Sequence, residues 1–229
     1  EVYAQRAKKR RMKVRQGALE EALSGLDYGA GVRLFFGTEV VYAYTNDLTQ
    51  EGLMEALETL LRAKGALGKV DEGGKGGLDF RKATPKGLHA PKVPYGEKDK
   101  RYRLERLLEA EAGARIAPAI KQVEASLLEW EEEVLVANTE GVFAEEKRVR
   151  TRLFVLAVAQ DGAEVQTGYS APWKSVGLEL FDLYPPKAVG EKAARQALTN
   201  LKARPAPAGA FPVVVGPGFG GVLFHGAVG

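Results

Sequence analysis

Between residues 116 and 173 apolar and polar residues alternate over several long runs, through IKQVEASLLEWEEEVLVANTEGVFAEEKRVRTRLFVLAVAQDGAEVQTGYS. Side chains two apart on an extended chain share a face, so this pattern predicts long antiparallel strands with one face buried. Asp161-Gly162 falls between two of these runs and is the strongest short hairpin signal in the chain. Asn138 to Gly141 is a second turn, with Gly141 suited to a positive φ.

Helices are expected around this sheet, which makes the fold class α+β. Asp47 or Thr49 can cap a helix running to Arg62, with Leu53, Ala56, Leu57, Leu60 and Leu61 on one side. A second helix is predicted over 97–114, with Leu104, Leu107 and Leu108 facing inward. A third starts at Pro186, since proline suits a first helical turn, and lines Val189, Ala193, Ala197, Leu198 and Leu201 along one face to about Leu201. Ahead of these, MKVRQGALEEALSG, GVRLFFG and EVVYAYT read as short strands. The glycines in and just before LDYGAGVR (Gly25, Gly29 and Gly31) read as a turn or a close-packed strand entry rather than a phosphate loop.

Four regions result. Residues 1–63 form an N-terminal α+β domain with a small sheet. Residues 64–98 are rich in glycine, lysine and proline and form a loop or linker that holds His89, read as solvated. Residues 99–204 form a central antiparallel domain with flanking helices. Residues 205–229 pass through the stiff connector RPAPAGAFP and the short strand PVVVG into a helix start at the opening of a C-terminal domain.

Composition narrows the function classes. With 33 basic and 30 acidic residues the net charge is only +3, which argues against a dedicated nucleic-acid binder. The run RAKKRRMKVR at 6–15 is basic at seven of ten positions, enough for several phosphate contacts. On a strand it alternates between faces, and no aromatic residue interleaves to stack bases. The acidic cluster Glu129, Glu131, Glu132 and Glu133 cannot converge on one cation, because strand neighbours face opposite ways; it is expected to be a solvated edge. There is no cysteine, hence no disulfide or thiolate site, which suits a reducing cytosol. No run of 18 apolar residues suggests a membrane span, and the first residues do not form a signal peptide. The chain starts at Glu1 rather than Met, so residues are expected to precede it. Abundant Ala, Leu, Arg, Glu and Gly, with two Met and few Asn, lean toward a thermophile.

The terminal PVVVGPGFGGVLFHGAVG matches neither a phosphate-binding loop nor a nucleophile elbow. It resembles the entry to the active site of the TldD/PmbA family of zinc-dependent peptidases, whose motif is His-Glu-x-x-x-His. The resemblance continues in order through GAGVRLFFG, YAYTNDLTQEGL, QVEASLLEWEEEVLVANTEGVFAEE, RVRTRLFVLAVAQDGAEVQTGY and LKARPAPAGAFPVVVGPG, over nearly all 229 residues except the loop at 64–98.

The resemblance makes His225 the first zinc ligand. It places Gly226 where the family has its general-base glutamate, and a second histidine at position 230. Two histidines five apart on a regular helix would point about 140° apart, so the complete motif implies a bulged turn. Zinc hydrolysis needs three protein ligands with one open position, and a carboxylate to move the proton. One imidazole meets neither need, so the 229 residues are expected to break off inside the metal motif and to be inactive alone, with zinc absent or substoichiometric.

The resemblance further implies a cytoplasmic protein acting on peptides or small unfolded proteins, as a homodimer or with a PmbA-like subunit. Two alternatives stand beside it: a non-catalytic partner subunit, and a gyrase-associated nucleic-acid-binding module. PGFGGVLFH follows the metal-bearing branch and favours an altered or truncated member of that branch.

Overall fold

The computed structural model describes residues 1–66, 79–83, 90–216 and 218–229. His89 and much of the predicted linker lie outside the described residues. The elements are β1 (Val2–Arg15), β2 (Ala18–Phe36), β3 (Glu39–Thr45), α1 (Gln50–Ala63), β4 (Arg81–Ala83), a 3-10 turn at Tyr95–Glu97, α2 (Lys100–Gly113), β5 (Ile120–Ala137), β6 (Val142–Asp161), β7 (Glu164–Ser170), β8 (Trp173–Lys174), α3 (Leu180–Leu183), α4 (Pro186–Asn200) and α5 (Gly220–Val228).

All eight strands belong to one sheet in the order β3-β2-β1-β5-β6-β4, with β7 and β8 also paired to β6. Among the described residues only the β4–β6 pairing is parallel. Helices lie on this largely antiparallel sheet, so the fold is α+β. The N-terminal strands do not make a separate small sheet. β1 pairs with β2 on one side and, from Val2↔Ala137 to Arg15↔Glu124, with β5 on the other. Sequence periodicity gives each strand its faces but not its partners, so this junction was not readable.

The hairpin signals hold locally. Asn138 Oδ1 accepts from the backbone N–H of Glu140 at 3.1 Å and of Val142 at 3.0 Å, and Gly141 has φ +87°. At the β6–β7 turn Asp161 pairs with Glu164, so the two-residue loop is Gly162-Ala163, one step beyond the predicted dipeptide. The glycine cluster at 25, 29 and 31 is not a turn. It lies inside β2, and the chain reverses instead at Gln16-Gly17, with φ +51° and +75°, the left-handed pair that a tight hairpin requires. Gly31 serves close approach: a Cβ there would stand 2.6 Å from Tyr42 Oη.

The core lies between the sheet and α2, α3 and α4. Even-numbered Met12 and Val14 of β1, odd-numbered Val123 to Leu127 of β5 and odd-numbered Val149 to Ala159 of β6 form its floor. Leu107, Ala110, Leu180, Val189, Ala193 and Ala197 form its roof. Each fully buried leucine or valine contributes about 1.5–3 kcal/mol by leaving water. Thr49 caps α1 by accepting from Gly52 N, and α1 covers the β1–β3 end through Ala56 and Leu60 against Val32. Asp99 caps α2 through Tyr102 N. Tyr95, in the predicted linker, is buried in the main core.

Residues 211–216 form no strand. PVVVG has the composition of one, but no partner pairs with it among the described residues, and Val214 is 98% exposed.

Candidate functional site

The helix expected at the glycine-rich end exists: α5 carries His225 in its last turn. Gly226 follows on the same helix. No α5 residue is buried, and Phe219, Leu223 and Phe224 project into solvent with His225. Among the described residues no group of three or more His, Cys, Asp or Glu side chains is placed to hold a metal. One imidazole does not meet the three-ligand requirement of a catalytic zinc, so these residues do not by themselves fit the metal the motif implies.

The ionic centre of the chain lies elsewhere, and sequence reasoning missed it. Glu129 is not on a solvated edge. It sits in the middle of β5, a central strand, and is 1% exposed. It faces the helix layer, where Arg103 of α2 holds it with a forked pair of hydrogen bonds, Nε to Oε1 and Nη2 to Oε2, the latter at 3.2 Å. The other Arg103 donors reach the carbonyls of Tyr95 (2.7 Å), Asp99 (2.9 Å) and Lys98. All five guanidinium N–H groups are therefore used. Arg10 Nη1 adds a longer bond to Glu129 Oε2 at 3.4 Å.

Beside this centre the Tyr95 hydroxyl donates to Arg150 O at 2.8 Å and lies 2.9 Å from Thr151 Oγ1. Burial pushes the Tyr95 phenol up to about 12, against the opposing pull of its bond to Thr151. The remaining acidic residues of the cluster are also paired. Glu132 is buried and accepts from Gln5 Nε2 at 2.6 Å, while Glu131 and Glu133 lie 3.7 and 3.1 Å from Lys147. Alternation separates only Glu132 from the others: Glu131 and Glu133, two apart, approach the same Lys147 ammonium. The expectation of a solvated edge failed for Glu129 and Glu132 because the neighbours of β5 are set by the fold.

The basic run of β1 is similarly matched across strands. Lys9 pairs with Asp27, Arg11 with Glu21, Lys13 with Glu20 and Glu124, and Arg15 with the same two glutamates. One aromatic joins it from β5: the Trp130 ring lies between Lys9 Nζ at 4.8 Å and the Arg150 guanidinium at 5.3 Å. Most of this charge is neutralised by carboxylates one strand away, which weakens any phosphate-binding reading.

An open strand edge is a second candidate. β2 pairs with β3 only from Ala30 to Phe36, so over residues 18–29 it is held by β1 alone among the described residues. Leu19, Leu23, Leu26 and Tyr28 on this stretch are exposed. Such an edge offers backbone donors and acceptors to an extended chain.

Two family models match in chain order: PmbA/TldA metallopeptidase domain 1 over residues 1–64, and the PmbA/TldA metallopeptidase central domain over residues 91–201. A Haemophilus influenzae protein named metalloprotease TldD homolog is 30% identical over 239 residues, covering 100% of this chain and 48% of that relative. A Methanothermobacter thermautotrophicus protein named metalloprotease is 28% identical over 217 residues, covering 94% and 46%. The chain spans about half the length of these curated relatives.

Among solved structures, a Thermotoga maritima protein titled as a candidate modulator of a DNA gyrase superposes with a TM-score of 0.67 at 16% identity, over 91% of this chain and 46% of that one. TldE from Thermococcus kodakarensis superposes with a TM-score of 0.55 at 14% identity, over 86% and 43%. At these identities the structures establish the fold alone. No helix among the described residues is long and apolar enough to cross a membrane.

Proposed function

Because the chain belongs to the PmbA/TldD metallopeptidase family, we propose that its 229 residues are the peptide-binding, N-terminal and central portion of a zinc-dependent peptidase. In this reading residues 1–63 and 99–204 correspond to the first two family domains, held in one sheet by the β1–β5 pairing with 64–98 between them, and 205–229 lead into the metal-bearing domain. The observation that carries the reading is the open β2 edge. A peptide or unfolded segment aligned along residues 18–29 would satisfy the edge amides and carbonyls, with side chains beside Leu23 on one face of the sheet and beside Leu26 on the other. A zero cysteine count fits work in a reducing cytoplasm.

His225 is the residue we assign to the metal. Gly226 supplies no base, so the other ligands and the proton acceptor would have to come from outside these residues. The relatives are about twice as long, which leaves room for them. The test is elemental analysis after dialysis against zinc, beside mass spectrometry of an unfolded peptide incubated with the protein. Well under one equivalent of zinc and an intact peptide are expected. Zinc binding unchanged in His225→Ala would refute the assignment, and a full equivalent with chelator-sensitive cleavage would refute the claim that the other ligands and the base lie outside these residues.

A second reading is favoured by Gly226 alone: a subunit that shapes the cleft of a TldD/TldE-type pair without contributing catalysis. Mixing with a metal-bearing partner and measuring co-elution and activity separates the two.

A further inference from the structure

A cavity of about 380 Å³ opens between the β1–β2 ladder and the start of α2, beside the Arg103–Glu129 pair. Its floor is apolar, built from Met12, Leu127 and Leu23, and its volume is in the range of small-molecule sites. Its charge is one-sided. Arg10, Lys98, Lys100 and Arg103 line it against the two carboxylates Asp99 and Glu129. Arg11 also lines it but is tied to Glu21.

The imbalance is concentrated on one group. Arg103 is saturated, and Glu129 can neutralise only one of the two guanidiniums it touches. The Arg10–Glu129–Arg103 triad therefore keeps one positive charge in a partly dry place. That charge falls on Arg10, which holds Glu129 by the longer 3.4 Å contact and whose guanidinium lies 5.7 Å from the Tyr95 ring. Asp99 keeps its charge, but its carboxylate is anchored as the cap of α2, accepting from Tyr102 N at 2.8 Å, and no hydrogen bond joins it to Arg10 among the described residues.

We propose that this cavity binds a carboxylate carried on an apolar group, with the carboxylate on Arg10 and flanked by Lys98 and Lys100, and the apolar group on Met12, Leu127 and Leu23. A bare inorganic anion would leave the floor wet, and a neutral apolar molecule would leave the Arg10 charge unanswered. Only a molecule with both parts satisfies both walls. Two sources carry that chemistry: a medium-chain fatty acid, and the C-terminal end of a peptide whose last residue is apolar. The site does not involve His225, so its test is independent of the metal assignment.

The experiment is isothermal titration of the 229-residue protein at low ionic strength with octanoate, with N-acetyl-alanyl-leucine as the free acid and as the amide, and with octanol and octylamine. The free acids are expected to bind, with the amide and octanol at least roughly tenfold weaker, the effect of losing one charge-assisted hydrogen bond. Tighter octanoate binding identifies the lipid source; tighter peptide-acid binding identifies the chain terminus. Arg10→Gln is expected to weaken the acids by a similar factor. Lys100→Gln, at an exposed position, and Leu23→Ser, at a residue 62% exposed, test the same site without touching the buried pair, and each should weaken binding. Arg101→Gln on the outer side of α2 should leave it unchanged. Absence of acid binding at millimolar concentration, octylamine binding equal to octanoate, or acid binding insensitive to both Lys100→Gln and Leu23→Ser would overturn the proposal.

Discussion

Replacing Arg103 by alanine removes the guanidinium that joins α2 to the middle of the sheet. Glu129, 1% exposed, would keep only the 3.4 Å contact from Arg10. The carbonyls of Tyr95, Lys98 and Asp99 would lose a shared donor. Removing one partner of a buried pair costs about 3–5 kcal/mol, because the remaining charge stays in a low dielectric. Arg10 can swing toward Glu129, and water can enter from the adjacent cavity, so the lower end, about 3 kcal/mol, is expected. Against a typical total stability of about 5–15 kcal/mol this is a large fraction. In a domain of this size it corresponds to a fall in Tm of roughly 6–12 °C.

Urea unfolding followed by circular dichroism, with unchanged slope, measures it. The double replacement Arg103→Met with Glu129→Met removes both charges and should recover most of the loss. A cost below about 1 kcal/mol for Arg103→Ala, the worth of an exposed pair, would refute the burial argument.

Three further outcomes are expected. Gly190→Ala should cost about 1–3 kcal/mol in urea unfolding, because the added methyl would overlap the Ala110 carbonyl oxygen where α4 crosses α2; a neutral result would mean the helices do not cross so closely. Glu179 accepts from the backbone N–H of Lys92 and Val93, both at 3.0 Å. Burial raises its pKa, but these backbone bonds together outweigh that and hold it below 4.5. The folded-state value is depressed, so its contribution is present above pH 4.5 and is lost as pH falls through the folded value. Glu179→Gln should flatten the acid limb of a stability–pH curve, and an unchanged limb would count against the bond pair. Finally, heparin retention should be lost at modest ionic strength, since the β1 cations are matched by carboxylates across the ladder; retention to high salt would revive the nucleic-acid reading.

Local rules made part of this fold readable. Thr49 and the stripe through Leu60 announced α1, Pro186 announced α4, and Asn138 to Gly141 announced the β5–β6 turn. Each depends on residues within a few positions of one another. The Gln16-Gly17 reversal was missed because the denser glycines at 25–31 drew the turn assignment, although only the former adopt the left-handed backbone a hairpin requires. PVVVG shows the converse limit: β-branched composition proposes a strand, but only a neighbour with free backbone groups makes one.

The candidate site divides along the same line. His225 and the neighbouring Gly226 were identified by order along the chain, and their helix was foreseen there. Glu129 was visible only as one of four glutamates in a row. What distinguishes it is Arg103, 26 residues earlier, and Arg10 on a strand 119 positions away. By itself the sequence determined the periodic faces of strands and helices, the caps, and the family resemblance, because those are properties of residues in order along the chain. Tertiary structure alone decided that β1 joins β5 into one sheet, which acids are buried, and that Arg10 and Arg103 share Glu129 beside an apolar floor. Those outcomes depend on distances between residues far apart in the chain, and on the loss of water between them.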